Sequence, residues 1–218
     1  MDTKINRSLA CASLFAASFA GAVASAQLDL GVADNDVWAY VHSQNPGGDP
    51  VIRLWGAEGM DLNPTGYPGN RNASSFFSYG FMNWDLDEVP PGFRWNGATL
   101  TVTVAPDSNY DPAVDEVYIR LLEGPFDESS WSYGVGPGPV AGDNNRIAGD
   151  DSVYGGAGSL ITFEIPRTVP RSVLQQWAQQ GFISLAITTT ADQVNEGKVL
   201  RIGTGENLLY EGPRLVLH

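Results

Sequence analysis

Short apolar and β-branched runs alternate with clusters of Gly, Pro, Asn and Asp over residues 27–218. In the clearest run, Leu100, Val102 and Val104 share one face and three threonines share the other. This period of two is that of a half-buried β-strand, whose successive side chains point to opposite faces of a sheet. Eight further runs predict strands, at 36–42, 51–55, 76–86, 117–122, 159–165, 182–190, 198–202 and 214–217. Such a series with turn residues between its members predicts an antiparallel β-sandwich.

One segment has the longer period of a helix. Val173, Leu174 and Trp177 recur at spacings that place them on one side of a helix. Pro170 suits the first helical turn because it has no N–H, and Gly181 suits the residue after the last turn. We therefore expect an all-β fold with two antiparallel sheets and one short helix that caps one end of the sandwich.

The first 26 residues have the pattern of an export signal. Two basic residues precede an uncharged apolar run at 9–23, and small residues follow at 24–26, where signal peptidase selects them. The run is shorter than the roughly 20 residues that cross a bilayer. We therefore expect a signal peptide at 1–26, cleavage near Ala26-Gln27, and an extracellular or periplasmic protein with no membrane span.

The remaining 27–218 are expected to form a single domain, because no internal repeat or linker divides them. The one cysteine, Cys11, lies in the predicted signal peptide, so we expect no disulfide and no cysteine-bound metal in the exported chain. Two long stretches without periodicity, 56–75 and 124–158, interrupt the strands. Loops of this length are often functional.

Charge narrows the functions open to this domain. The chain has 12 Lys+Arg and 25 Asp+Glu, a formal net charge of −13 at pH 7. Nucleic acids need a basic surface, so this balance excludes them as partners. Imidazole occurs only in His42 and His218, and no Gly-x-Ser-x-Gly motif is present, which argues against nucleophilic catalysis. Acidic pairs such as Asp85/Asp87, which a glycoside hydrolase needs, arise by chance in so acidic a chain. We expect that the protein is not an enzyme.

Oxygen-bearing side chains in the second long stretch suggest a cation site. They are those of Asp143, Asn144, Asn145, Asp150 and Asp151. Ca²⁺ takes roughly six to eight oxygen ligands, although the spacing here differs from that of the Asp-x-Asp-x-Asp-Gly loop. We therefore predict Asp143, Asn145, Asp150 and Asp151 as ligands of a candidate structural Ca²⁺, with residues 34–36 as a second candidate. An ordinary turn-rich loop is the alternative.

Aromatic residues in the loops are the candidate binding groups. The flat C–H faces of sugars stack on Trp and Tyr, while their hydroxyls need polar side chains beside the ring. Trp38, Trp84 and Trp131 fall on or beside predicted strands and are expected in the core. Four aromatic residues in Gly- and Pro-rich loops are predicted to contact carbohydrate: Tyr67, Trp95, Tyr133 and Tyr154. Alternatively, each ring only anchors its loop to the sandwich.

Three segments in chain order carry a likeness to a known family. They are Ala33-Asp34-Asn35-Asp36-Val37 with Arg53-Leu54-Trp55, Phe81-Met82-Asn83-Trp84-Asp85-Leu86 with Val89-Pro90-Pro91-Gly92, and Val117 to Leu122 with Phe126-Asp127-Glu128-Ser129-Ser130-Trp131. The C-terminal segments 181–186 and 212–216 agree in order. Together these segments resemble the DNRLRE domain family across nearly all of residues 28–218.

The resemblance implies a jelly-roll sandwich on a secreted or cell-surface bacterial protein. Similar members include carbohydrate-binding modules attached to polysaccharide lyases, some of which bind alginate. Asn83 and Phe126 depart from the family, which often has a basic residue and a Trp there. Lys198 is the single lysine after residue 26, so an anionic glycan would meet an acidic surface. The sequence predicts a non-catalytic carbohydrate-binding module for a neutral polysaccharide. The alternative is a structural or adhesive protein that binds a cell-surface protein and no sugar.

Overall fold

The computed structural model describes residues 27–40, 43–45, 50–56, 78–122, 124–127, 147–152, 154–191 and 196–218. Within these ranges the chain forms twelve strands and one helix. The strands are β1 (Leu28–Val32), β2 (Asn35–Tyr40), β3 (Ser43–Asn45), β4 (Val51–Leu54), β5 (Ser78–Asp85), β6 (Gly97–Thr103), β7 (Val117–Leu121), β8 (Ile147–Ala148), β9 (Leu160–Pro166), β10 (Phe182–Thr189), β11 (Leu200–Gly203) and β12 (Arg214–Leu217). The helix, α1 (Arg171–Gln180), lies between β9 and β10.

Two antiparallel sheets form the sandwich. The smaller has the strand order β1-β12-β6-β9, and the larger has the order β3-β2-β5-β10-β7-β8. The chain crosses from one sheet to the other after β1, β5, β6, β8 and β9, and it returns from β10 to β12 by way of β11. As a result β5-β10-β7-β8 lies opposite β1-β12-β6-β9, which is the strand order of a jelly roll with two Greek keys. The prediction of an all-β sandwich with one short helix is confirmed.

The alternation in β6 directs its apolar side chains to the core. Ala98, Leu100 and Val102 are fully buried, whereas the threonines between them are half-buried. β9 pairs along the whole of β6 and directs Ile161 and Phe163 to the same core. Burying a large aliphatic or aromatic side chain is worth about 1.5–3 kcal/mol, so this row is a main source of the stability of the smaller sheet.

A separate two-stranded sheet of β4 and β11 extends the core at one side of the sandwich. Ile52 and Ile202 are fully buried in the core cluster, and Ile202 also bridges to Val104 beyond the end of β6. A side-chain carbon at Gly80 of β5 would lie 2.8 Å from the Ile52 side chain. Glycine at this position therefore lets β4 pack closely on the larger sheet.

Helix α1 caps the end of the sandwich at which β6 begins. Its Trp177 is 1% exposed, and the indole N–H donates to the Leu122 carbonyl oxygen at 3.0 Å. The Trp177 ring packs edge-on against Trp95, with the ring centroids 6.3 Å apart. Gly181 follows the helix with a φ of 77°, and its N–H donates to the Trp177 carbonyl oxygen. The predicted helix and its glycine cap are confirmed.

The strands predicted from the sequence do not include three short strands, β1, β3 and β8. All three lie at an edge of their sheet. β8 has two residues and pairs only with Tyr118 and Ile119, while the pairing of β1 with β12 shifts register between Asp29 and Gly31. β3 and β8 are too short to repeat the alternation that identifies a strand in sequence, whereas β1 does alternate, with Leu28, Leu30 and Val32 separated by Asp29 and Gly31, and the sequence prediction missed it.

We predict that Trp177→Ala lowers the free energy of unfolding by about 3–5 kcal/mol, because it opens a cavity between α1 and the end of the sandwich. Urea denaturation followed by circular dichroism measures the change. Gln175→Ala, on the exposed side of the same helix, is the matched control and should change stability by less than about 0.5 kcal/mol. Equal losses in the two variants would contradict the placement of Trp177.

A second prediction concerns acid stability at the β1–β12 edge. Arg214 donates to the Asp29 carboxylate, and this contact together with the Gly31 N–H lowers the pKa of Asp29. Because its pKa is lowered in the folded protein, the ionised Asp29 carboxylate stabilises the fold at a pH above its ordinary pKa near 3.8. This stabilisation is lost as the pH falls through the lowered pKa. Both side chains are more than one third exposed, so Asp29→Asn should cost at most about 1 kcal/mol at pH 7. The difference in unfolding free energy between Asp29→Asn and the parent protein should vanish near about pH 2. A difference that stays constant between about pH 7 and about pH 2 would refute the prediction.

Candidate functional site

Four of the eight predicted site residues lie among the described residues. They are Trp95, Asp150, Asp151 and Tyr154. The other four, Tyr67, Tyr133, Asp143 and Asn145, lie outside the described residues. Of the four that are described, three come together at one end of the sandwich, and Trp95 does not.

Trp95 and Tyr154 lie at opposite ends of β6. Trp95 comes just before the first residue of β6 and packs against α1. Tyr154 precedes β9, whose first residue, Leu160, pairs with the last residue of β6. The seven residues of β6, at about 3.3 Å each, place the two ends of the strand roughly 20 Å apart. The two aromatic side chains therefore do not share one binding surface.

Tyr154 packs on a second tyrosine, Tyr110. The ring centroids are 5.6 Å apart and the ring planes meet at 84°, an edge-on contact. Tyr110 is 3% exposed, whereas Tyr154 is half-buried and contacts the edge of the core. Tyr110 is thus the buried support, and Tyr154 is the partly exposed member of the pair.

The Tyr110 hydroxyl joins two loops. It donates to the carboxylate of Asp151, and it also lies 3.0 Å from the Asp115 carbonyl oxygen. Burial and the hydrogen bond to Asp151 raise the pKa of Tyr110, so the phenol keeps its proton at neutral pH. The loop that carries Tyr154 is therefore fastened to the segment that precedes β7.

Asp115 and Lys198 complete this group, which we call the Tyr154 cluster: Tyr110, Asp115, Asp151, Tyr154 and Lys198. Asp115 is 7% exposed, and one carboxylate oxygen accepts the Asp111 N–H at 2.9 Å. The same oxygen lies 3.5 Å from the Lys198 Nζ.

Lys198 also pairs with Glu196. Their charged atoms are 2.6 Å apart, and this contact raises the pKa of Lys198. Two carboxylates thus offset the single ammonium group of the cluster. Little positive charge is left to attract an anion to the Tyr154 ring.

The two described members of the predicted calcium site face different partners. Asp150 is exposed and accepts the Ser152 N–H at 3.1 Å, and Ser152 lowers the pKa of Asp150. Asp151 instead accepts the Tyr110 hydroxyl. Among the residues that the structure describes, no group of three acidic, His or Cys side chains is placed to hold a metal ion. The full four-residue site stays a prediction, since two of its members lie outside the described ranges.

A separate recess of about 370 Å³ contains Asp85 and Asp87, the acidic pair considered for a glycoside hydrolase. The described residues that line it are Leu30, Asp34, Asp85, Asp87 and Glu88. Asp34 accepts the Asp85 N–H at 2.6 Å, and Asp85 accepts the Asp87 N–H at 2.7 Å. The Asp34 and Asp85 carboxylates therefore fix the backbone at the end of β5, as aspartates in turns commonly do.

Sequence reasoning misses three members of the Tyr154 cluster: Tyr110, Asp115 and Lys198. The signal that identifies Tyr154 is also present for Tyr110, since Tyr110 is an aromatic residue in a loop rich in Asp and Pro. Lys198 is remote in sequence from both Asp115 and Tyr154, and only the folding of the sandwich brings it to them.

The comparisons with known proteins leave the family unassigned. A scan against protein-family models finds no match, and a search of the curated proteins finds no similar sequence. The likeness to the DNRLRE domain family therefore stays a prediction from the motifs. Within the described part of the chain, no helix is both long enough and apolar enough to cross a membrane.

We predict that Tyr110→Phe lowers the free energy of unfolding by about 1–2 kcal/mol, because it removes the hydroxyl that Asp151 and the Asp115 carbonyl share. Chemical denaturation measures the change. Tyr210→Phe removes a hydroxyl from a half-exposed tyrosine elsewhere and should leave stability nearly unchanged. A Tyr110→Phe protein as stable as the parent would show that this hydroxyl does not hold the two loops together.

Proposed function

We propose that this protein is a secreted, non-catalytic carbohydrate-binding module for a neutral polysaccharide. The observation that carries the proposal is the placement of Tyr154, a partly exposed residue whose ring is held edge-on against Tyr110 at a loop end of the sandwich. An aromatic face beside polar side chains is the combination that sugars recognise, since their C–H faces stack and their hydroxyls hydrogen-bond.

The polar groups around the ring support this choice. Asp111 and Asp150 are exposed on the two loops that Tyr110 joins, and their carboxylates are acceptors for sugar hydroxyls. The Tyr110 hydroxyl fixes the position of the Tyr154 loop before any ligand arrives. A fixed loop loses less conformational entropy on binding, which favours affinity from a small contact area.

The charge of the cluster favours a neutral ligand. Lys198 is paired with Asp115 and Glu196, and the chain as a whole carries a net charge of −13. A polyanion such as alginate would be repelled by this surface. A neutral glucan or xylan meets no such penalty.

The arrangement of carboxylates supports a non-catalytic role. A glycoside hydrolase needs two carboxyl groups on opposite sides of the scissile bond, each free to take or give a proton. Asp115 is nearly buried and engaged by Lys198 and a backbone N–H, and Asp151 accepts the Tyr110 hydroxyl. Both carboxylates are engaged in contacts that hold the site together.

Affinity electrophoresis and calorimetry test the proposal, with soluble β-glucan, xylan and alginate as probes, each with and without Ca²⁺. We expect retention by a neutral polysaccharide and none by alginate. Tyr154→Ala should weaken binding by at least about tenfold through loss of the stacking face, and Tyr154→Phe should keep most of the affinity.

Trp95→Phe is the control at the other end of β6 and should bind like the parent protein. A loss confined to the Trp95 variant would move the site to the helix end and overturn the assignment to Tyr154. If none of the polysaccharides retains the parent protein, the carbohydrate proposal fails and the structural or adhesive alternative takes its place.

A further inference from the structure

Two adjacent leucines project from the loop between β11 and β12. Leu208 is 98% exposed and Leu209 is 85% exposed. A single exposed leucine is ordinary on a protein surface. A pair at the tip of a turn is different, because Gly, Asn, Asp, Pro and Ser dominate such positions. We call residues 206–211 the leucine turn.

Asn207 holds the leucine turn in one conformation. Its side-chain oxygen accepts the N–H groups of Leu209 and Tyr210, both at 2.9 Å. Its side-chain amide donates to the Pro50 carbonyl oxygen at 2.7 Å, and its backbone N–H donates to the Thr204 carbonyl oxygen at 3.0 Å. The backbone that carries the leucines is therefore fixed by the fold.

The base of the turn is closed by glycines. A side-chain carbon at Gly203 would lie 2.2 Å from the Tyr210 carbonyl oxygen, and one at Gly212 would lie 2.7 Å from the Gly205 nitrogen. The Gly205 N–H donates to the Asp36 carboxylate at 2.8 Å, which ties the base to β2. The leucines thus project from a closely packed stem.

We propose that the leucine turn inserts Leu208 and Leu209 into the surface of a zwitterionic lipid bilayer. A convex tip of two aliphatic side chains offers far less area than the roughly 800 Å² per partner of a stable protein interface. A bilayer needs no matching pocket. Tyr210, which is half-buried and directly follows the leucines, suits the headgroup level, where tyrosine is enriched.

The charges beside the tip select the kind of lipid. Glu206 and Glu211 are exposed on either side of the leucines. The nearby Arg214 is paired with both Asp29 and Glu211. This acidic rim disfavours an anionic membrane and tolerates phosphatidylcholine or phosphatidylethanolamine.

The expected binding is weak and reversible. Two leucine side chains bury less hydrocarbon than one myristoyl chain, which binds bilayers with a constant of about 10⁴ M⁻¹. Millimolar lipid is therefore required to observe it. The inference is independent of carbohydrate binding, because the leucine turn shares no residue with the Tyr154 cluster.

Cosedimentation with sucrose-loaded vesicles tests the proposal. The assay uses residues 27–218, the chain expected after signal-peptide cleavage, because the apolar run at 9–23 would bind lipid by itself. We expect binding to phosphatidylcholine vesicles at millimolar lipid, and weaker binding when roughly one third of the lipid is phosphatidylglycerol. The double variant Leu208→Ser/Leu209→Ser should reduce the bound fraction at least about threefold.

Leu160→Ser is the matched control, because Leu160 is a 52% exposed leucine on β9, and it should bind like the parent protein. The melting temperatures of the double variant and of Leu160→Ser should equal that of the parent protein. Leu208→Ser alone should lose less binding than the double variant. The proposal is overturned if the parent protein does not bind phosphatidylcholine, if the double variant binds equally, or if anionic vesicles bind better. Self-association or a protein partner that depends on the leucines, without lipid binding, would also overturn it.

Discussion

The register between β6 and β9 is the constraint on which the rest of the structure depends. Because side chains alternate between the faces of a strand, a slip of one residue would turn the β6 threonines into the core and expose Leu100 and Val102. The register also fixes where each strand ends. One end of β6 leads back to Trp95 and helix α1, and the other end lies beside the start of β9 and the Tyr154 loop. The apolar core thus decides which loops meet, and through them which side chains form a site.

The central strands of the larger sheet show what a two-residue pattern leaves undetermined. In β5 and β10, the residues that face away from the sandwich core are buried as well, including Phe81, Asn83 and Ser184. Asn83 and Ser184 lie directly opposite each other, and within the described structure their side-chain polar atoms make no hydrogen bond. A buried polar group without a partner costs about 1–3 kcal/mol. In this closed position an unpaired charge would cost more than the Asn83 amide.

Regular elements with one buried face could be predicted from the sequence, and contacts between distant segments could not. The alternation in β6 and the Trp177 stripe of α1 each repeat often enough to identify a strand and a helix. The edge strands β3 and β8 are too short to repeat, so they gave no such signal, whereas β1 alternates Leu28, Leu30 and Val32 with Asp29 and Gly31 and could have been predicted. Composition alone pointed to Tyr154 and Asp151, but it could not separate Trp95 from them, because the distance between their loops depends on strand order. Lys198 and Asp115 meet only through tertiary packing.

Several basic side chains are neutralised by ion pairs with carboxylates, and this affects which ligands the acidic surface can bind. Lys198 is held by two carboxylates, Arg214 is held by two more, and Arg201 lies 3.4 Å from Asp107. Apart from the contact of Lys198 with the buried Asp115, these contacts are partly exposed and worth little to stability. Their larger effect is on recognition, because a cation flanked by carboxylates no longer offers a local positive patch. The Tyr154 cluster and the leucine turn therefore share one electrostatic property. Each combines apolar contact area with an acidic surround, and such a surface selects uncharged or zwitterionic ligands over anionic ones.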